Sequence, residues 1–329
     1  MRFVSLLVPA LCAAQSLQVY AIDVEGGKST LFVSPSGETM LVDTGYAGFK
    51  NRDADRIAAA AADAGVTRID YLVITHYHAD HVGGVPQLVA KMPVGTFIDH
   101  GPNFETAKDT RAVLDAYAAE RAKHPHIVVK AGDIVPIKGM KVQVVTAAGV
   151  AIAKPLPGAG QANPLCASYR PLETDAGENA HSIGFILTYG AFRLSDLGDL
   201  YWNQEHDLAC PVNKVGTVDV YLTTHHGTKT SGSPQMVDAL HPKVAIMNNG
   251  PTKGGSVLAW QTIHDSPGLL DIWQLHLATA NPHDHNSREE LIANTEAGDH
   301  KSAWIKLTAH DDGSFTVRNG RNGYEKAYR

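Results

Sequence analysis

The stretch THYHADHVGG, Thr75 to Gly84, sets four metal-type ligands, His76, His78, Asp80 and His81, within six residues directly after the apolar run YLVI. Imidazole and carboxylate bind hard and borderline divalent cations, provided that several of them converge from a rigid base. A loop leaving a buried strand supplies that base. If the segment starts extended, alternate side chains point the same way, so His76 and His78 grip one ion. Asp80 and His81 lie beyond the bend and reach a second. Two ions side by side share a hydroxide and clamp both ends of a hydrolytic displacement. An exposed His-rich loop is the plain alternative; the apolar strand before the cluster and Gly83-Gly84 after it argue against that.

The elements that must position this loop are legible from hydrophobic period and turn residues. SLQVYAIDV, STLFVS and TMLVDTG, separated by EGG and PSGE, read as three short strands. Asn51 to Ala64 is Ala-rich with interspersed charges and reads as a helix stopped by Gly65. Ile69 to Ile74 is the strand that carries the cluster. A second section follows: helix at Val85 to Lys91, strand TFIDH, helix at Thr106 to His124, strand HIVVK and the hairpin DIVPIKGMKVQVVTA. Ala148 to Asn179 lacks periodicity and reads as a long loop, a type that is usually functional. Two strands then flank Tyr189-Gly190, and VDVYLTTHHG, KVAIMNN, helices at Ser233 to Leu240 and near Trp260, and the hairpin WIKLTAHDDGSFTVRN complete the pattern. These elements predict an α+β αββα sandwich, two mixed sheets face to face with helices outside.

Composition narrows the function classes. The chain has 329 residues, 44% hydrophobic and 19% charged, which is globular and enough for a large core. Its formal net charge of -6 and the absence of a Lys/Arg block argue against long nucleic acid as a partner and favour a small-molecule substrate. MRFVSLLVPALCAAQS has the layout of a short secretory leader, residues 1–16, too short to span a bilayer; a buried first strand is the alternative. The expectation is a periplasmic or secreted protein without a membrane span in its mature part, with one domain over 17–329. Cys166 and Cys210 would remain, either paired in an oxidising compartment or separately buried.

HxHxDH after a strand, followed by Gly-Gly, resembles the signature of the metallo-β-lactamase-fold superfamily. IDVEGGKSTLFVSPSGETMLVDTG, NAHSIGFILTYGAFRLSDLGD and VDVYLTTHHGTKTS are similar to segments of its ComEC-like branch, so the resemblance spans roughly Leu17 to Gly250. It implies a binuclear metallo-hydrolase with two zinc ions, iron or manganese being the other metals that such a site takes. His76 and His78 would hold the first ion, Asp80 and His81 the second, and Asp199 would bridge them. The third ligand of the first ion would be His181, where the ComEC-like pattern has Asn. The last ligand falls on His225-His226: the HxGT form of other branches selects His225, the GHG form selects His226, and the first is adopted here. His226 then becomes a proton donor, Asp80 a residue that orients or deprotonates the attacking water, and Asp43 a partner for a ligand imidazole.

The resemblance further implies a hydroxide attacking a small phosphodiester, a carboxylic ester or a lactone. β-Lactam hydrolysis, an iron-dependent oxidoreductase on the same fold and a non-catalytic ligand-binding relative are the competing readings. His264, His276, His283 and His285 read individually as surface or structural, and Trp260, Trp273 and Tyr201 as core or rim aromatics.

Overall fold

Hydrophobic alternation and Gly-marked turns build two sheets, seen in a computed structural model that describes residues 16–104, 110–296 and 302–329. The expected leader falls almost wholly outside those residues. The first half comprises β1 (Leu17–Ala21), β2 (Thr30–Val33), β3 (Thr39–Val42), α1 (Arg52–Asp63), β4 (Ile69–Val73), α2 (Ala79–Val82), α3 (Val85–Lys91), β5 (Val94–Asp99), α4 (Arg111–Arg121) and β6 (His126–Val128). Then follow β7 (Ile134–Val135), β8 (Lys141–Ala147), β9 (Val150–Ala151), β10 (Gly184–Tyr189), β11 (Phe192–Asp196) and α5 (Trp202–Ala209). The remainder is β12 (Val220–Leu222), α6 (Pro234–Leu240), β13 (Val244–Met247), α7 (Val257–His264), β14 (Asp271–His276), β15 (Ile292–Asn294), β16 (Ile305–Ala309), β17 (Phe315–Asn319) and β18 (Glu325–Tyr328).

One sheet runs β18-β17-β16-β1-β2-β3-β4-β5-β6, the other β15-β14-β13-β12-β11-β10-β8-β7 with β9 on β8. Both are mixed. β3 to β6 are parallel in the first, as are β11 to β15 in the second. The C-terminal hairpin is built into the first sheet, β16 pairing with β1 so that Leu17 faces Ala309.

Side-chain alternation sorts the interior into three layers. Leu17, Val19, Phe32, Val42 and Ile98 of one sheet meet Val142, Phe185, Leu194, Val220 and Trp273 of the other. On the outer face of the first sheet, Tyr20, Leu41, Leu72 and Phe97 pack on Ile57, Leu88 and Tyr117 of α1, α3 and α4. Ile186, Tyr221, Ala245 and Ile272 pack on Leu208, Met236, Leu240 and Ile263 of α5, α6 and α7. This is the αββα sandwich that the sequence predicts. No described helix is long and apolar enough to cross a membrane.

Parallel strands end together, so the loops after β3, β4, β11, β12, β13 and β14 emerge along one rim. Open α/β sheets place their sites at the carboxyl ends of such strands. Asp43, the His/Asp cluster, Asp199, His225-His226, Asn248 and His276 all stand on or just after those ends.

Candidate metal centre

α2 begins at Ala79, so the chain leaves β4 extended through His76 and His78 and bends before Asp80 and His81. Gly83 and Gly84 close the bend against the loop after β3. A Cβ at Gly84 would stand 2.1 Å from the Thr44 carbonyl, and one at Gly83 2.6 Å from the Ala47 nitrogen. Only glycine allows that approach.

Four donors converge in the interior: ligand atoms of Asp80, His81, Asp199 and His226 all lie within 4.8 Å of one another. His81 Nε2 is 3.1 Å from Asp199 Oδ2 and 3.2 Å from Asp80 Oδ2. His226 Nε2 is 3.2 Å from each of the same two oxygens. His76 Nε2 is 4.0 Å from Asp199 Oδ2 and 3.1 Å from His78 Nδ1. Asp199 Oδ2 is thus the atom on which His76, His81 and His226 converge. Its backbone N–H donates to Ser182 Oγ at 3.1 Å, which ties it to the neighbour of His181.

His181 lies outside that four-residue group. Its Nδ1–H donates to the Gly177 carbonyl at 2.7 Å, and its ring stacks on Phe104 with centroids 3.7 Å apart. His225 and His226 occupy successive left-handed conformations, φ 51° and 55°, in the turn after β12. Such a pair is costly for non-glycine residues, about 1–3 kcal/mol each, and persists where the surroundings impose it. The turn sends the two rings to different places. His226 is sealed inside, with the Asn248 side-chain amide 3.4 Å from its Nδ1. His225 borders the cleft: its Nε2 is 3.6 Å from Asp199 Oδ2, and its Nδ1–H donates to Ser231 Oγ at 3.1 Å. Tyr201 stacks on its face. The HxGT form of the resemblance selects His225 as the last ligand, whereas the tighter donor group contains His226.

Asp43 orients the donors from behind. Its Oδ1 accepts the Thr75 N–H at 2.8 Å, and its Oδ2 accepts the Thr75 hydroxyl at 2.7 Å and His81 Nδ1–H at 2.8 Å. With its proton given to Asp43, Thr75 Oγ1 accepts from His76 Nδ1 at 3.1 Å. Both imidazoles therefore present Nε2 to the centre, the arrangement by which carboxylates behind ligand histidines set the tautomer.

Electrostatics match a cation. Burial would raise the Asp199 carboxyl, yet the His81, His226 and His225 rings beside it hold it well below the usual carboxylate range. Burial pushes the His76 imidazole well below its ordinary value, with His81 acting in the same direction. Burial likewise takes His225 down to about 4, against the pull of Asp199. His81 goes the other way: burial alone would lower it, but Asp199, Asp80 and Asp43 raise it well above normal. Carboxylates that keep a proton on the His81 ring will also hold a metal ion, which competes with that proton for the same nitrogen. Asp199 Oδ1 is buried with no hydrogen-bond partner, an acceptor that a cation would satisfy. The residues present fit a divalent ion.

Two lysines at the centre escaped the sequence reading. Lys28, in the turn after β1, is fully buried and ion-paired to Asp196. Lys253, in the turn after β13, pairs with Asp80 Oδ2. A Lys in a Gly-flanked turn carries no sequence signal for such a place. His276 is buried rather than exposed, its Nε2 2.6 Å from Asp23 Oδ1, while His264 is largely exposed and His283 to His285 form an exposed turn. Cys166 and Cys210 are disulfide-bonded, which fastens the long 148–179 segment to the end of α5. Between that segment and Tyr201 lies a cavity of about 540 Å³, with Leu172, Asp175 and Thr230 in its walls.

Residues 22–160 match the Metallo-beta-lactamase superfamily. An atrochrysone carboxyl ACP thioesterase of Pseudocercospora fijiensis is 32% identical over 89 residues, 27% of this chain and 25% of that one. The lactamase-like protein notP of an Aspergillus species is 39% identical over 67 residues, and the match spans only a fifth of either chain. A UPF0173 protein of Pyrococcus abyssi is 22% identical over 234 residues, 70% of this chain and 84% of its own. Among solved structures, the metallo-beta-lactamase fold protein YhfI of Bacillus subtilis superposes with a TM-score of 0.48 at 11% identity, over 78% of this chain and 96% of that one.

Proposed function

From a metallo-β-lactamase superfamily fold with a buried His/Asp cluster at its rim, we propose an exported, binuclear zinc-dependent hydrolase of the ComEC-like branch that cleaves a small phosphodiester or a carboxylic ester or lactone. The observation that carries this reading is the convergence of Asp80, His81, Asp199 and His226 with the second Asp199 oxygen left unpartnered. These four would hold one ion. His76 and His78, with His181 joined to Asp199 through Ser182, would flank the other. When bound, the ions supply Lewis acidity toward the scissile carbonyl or phosphoryl oxygen and make water acidic enough to attack at neutral pH.

The chain's own groups do the rest. Asp43 and Thr75 keep the His76 and His81 Nε2 atoms free for metal. Asp80, beside His81 and His226, would orient the attacking water. Tyr201 and the 172–175 segment line a cavity that would seat the group beyond the scissile bond. The Cys166–Cys210 disulfide supports export, because such bonds persist in oxidising compartments.

Elemental analysis of the purified chain, beside turnover of bis(p-nitrophenyl) phosphate and p-nitrophenyl acetate with and without chelator, tests the reading. Near two zinc per chain with chelator-sensitive turnover supports it. Asp199→Ala should abolish turnover with a near-native circular dichroism spectrum; unchanged turnover would remove Asp199 from the centre.

A further inference from the structure

The two lysines at the centre are held differently. Lys28 is sealed in the interior at 2% exposure, a fixed counter-charge to Asp196. Lys253 is 37% exposed, so its ammonium has solvent to move into. Its backbone has no such freedom. The Gly250 N–H donates to the Lys253 carbonyl at 2.8 Å, the Gly255 N–H donates to the His226 carbonyl at 2.8 Å, and a Cβ on Gly254 would stand 2.1 Å from that carbonyl. The turn is clamped to the His226 turn, and only the four-carbon stem of Lys253 can swing.

Its partner is Asp80 Oδ2, the oxygen that lies 3.2 Å from both His81 Nε2 and His226 Nε2. A divalent ion among those three atoms and an ammonium on the same oxygen would set like charges within a few ångströms, a repulsion that low-dielectric surroundings magnify. The Tyr46 hydroxyl lies 3.3 Å from Lys253 Nζ, and the ammonium stands 5.6 Å from the centroid of the Tyr46 ring. An ammonium leaving Asp80 therefore stays at the mouth of the centre, beside a phenol that also donates hydrogen bonds.

We infer that the Lys253 ammonium and a divalent cation are alternative partners of Asp80 Oδ2, and that the displaced ammonium, with Tyr46, anchors an anionic oxygen of the substrate. The substrate half of this inference rests on the hydrolase reading and narrows it to esters that carry a carboxylate or a phosphodiester charge.

The test compares the parent chain with Lys253→Met and Lys253→Arg. Zinc titrations of metal-stripped protein against a chromophoric chelator should show Lys253→Met binding its weaker zinc roughly ten-fold more tightly, about 1.4 kcal/mol. Lys253→Arg should stay near the parent. Turnover is measured on bis(p-nitrophenyl) phosphate, mono-p-nitrophenyl succinate and p-nitrophenyl acetate. The ratio of kcat/KM for an anionic ester over the neutral one should fall at least about ten-fold in Lys253→Met, as expected for one lost charge-assisted contact. Lys253→Arg should recover part of it. Whichever anionic ester shows the fall identifies phosphodiester or carboxylate as the anchored group. Equal zinc affinities overturn the exchange at Asp80, and unchanged ratios for both anionic esters overturn the anchor. If the parent turns over none of the three esters, the hydrolase reading fails while the zinc titration still decides the exchange.

Discussion

Asp43→Asn is the sharpest probe of the centre, because it changes no ligand and almost no volume. Asp43 Oδ1 accepts a backbone N–H, which fixes the amide oxygen of the variant at that position. The new NH2 then faces the Thr75 hydroxyl and His81 Nδ1, both of which donate to Oδ2 in the parent. His81 can avoid the clash of donors only by moving its proton to Nε2, the atom that faces Asp80 and Asp199. The Thr75 hydroxyl must turn as well, which unties His76 Nδ1. Partners behind ligand histidines typically carry ten- to hundred-fold in metal affinity, so the variant should lose about 1.4–2.8 kcal/mol of zinc binding. One buried donor left unsatisfied should also lower unfolding stability by about 1–3 kcal/mol. Competition against a chromophoric chelator measures the first quantity and urea unfolding of metal-free protein the second. A folded variant whose zinc affinity stays within about two-fold of the parent, short of what such partners carry, would refute the orienting role.

Further expectations follow from the same geometry. His226→Ala should weaken zinc binding by more than the roughly hundred-fold that an outer partner carries, and His225→Ala by no more than that; the reverse order in chelator competition would exchange their roles. Glu205, buried under the N–H groups of Gly232 and Ser233, is pushed up to about 7 by burial. Its folded value is above its unfolded one, so its stabilising effect is full below the ordinary carboxylate range and lost as pH rises toward 7, a span of about 3 kcal/mol. Glu205→Gln should flatten urea stability between pH 5 and pH 8, and an unaltered pH dependence would exclude Glu205 as its source. Gly84→Ala drives a methyl into the Thr44 carbonyl and should cost about 1–3 kcal/mol of stability, read by thermal unfolding.

How far the chain could be read in advance depended on whether a feature is local. The His/Asp cluster follows β4 as expected because an apolar β-branched run and a Gly-Gly bend are adjacent in sequence. The choice between His225 and His226 is not local. It depends on two left-handed residues and on the distance to Asp80, which the sequence pattern does not encode. Lys28 and Lys253 were invisible for a related reason: a buried lysine is recognisable only by the carboxylate it meets, and Asp196 is 168 residues from Lys28. For His276 the sequence leaves surface and structural roles open, and the structural one holds through Asp23, a partner at the other end of the chain that no local pattern points to. β15 and β18 went unread because short strands at sheet edges are specified by the neighbours they pair with rather than by their own pattern.

The donors of the centre are divided between the two sheets. His76 to His81 hang from the first, Asp199 and His226 from the second, and His81 and Asp199 are 118 residues apart in sequence. No segment of the chain can prefigure this arrangement while folding; it comes into being only when the sandwich shuts. A cation that bridges Asp80 and Asp199 would then work as a bolt across the seam, charging its binding energy to the closed state alone. Depriving the chain of metal should loosen the rim before it loosens anything else, with amide exchange quickening first at the ends of β4, β11 and β12.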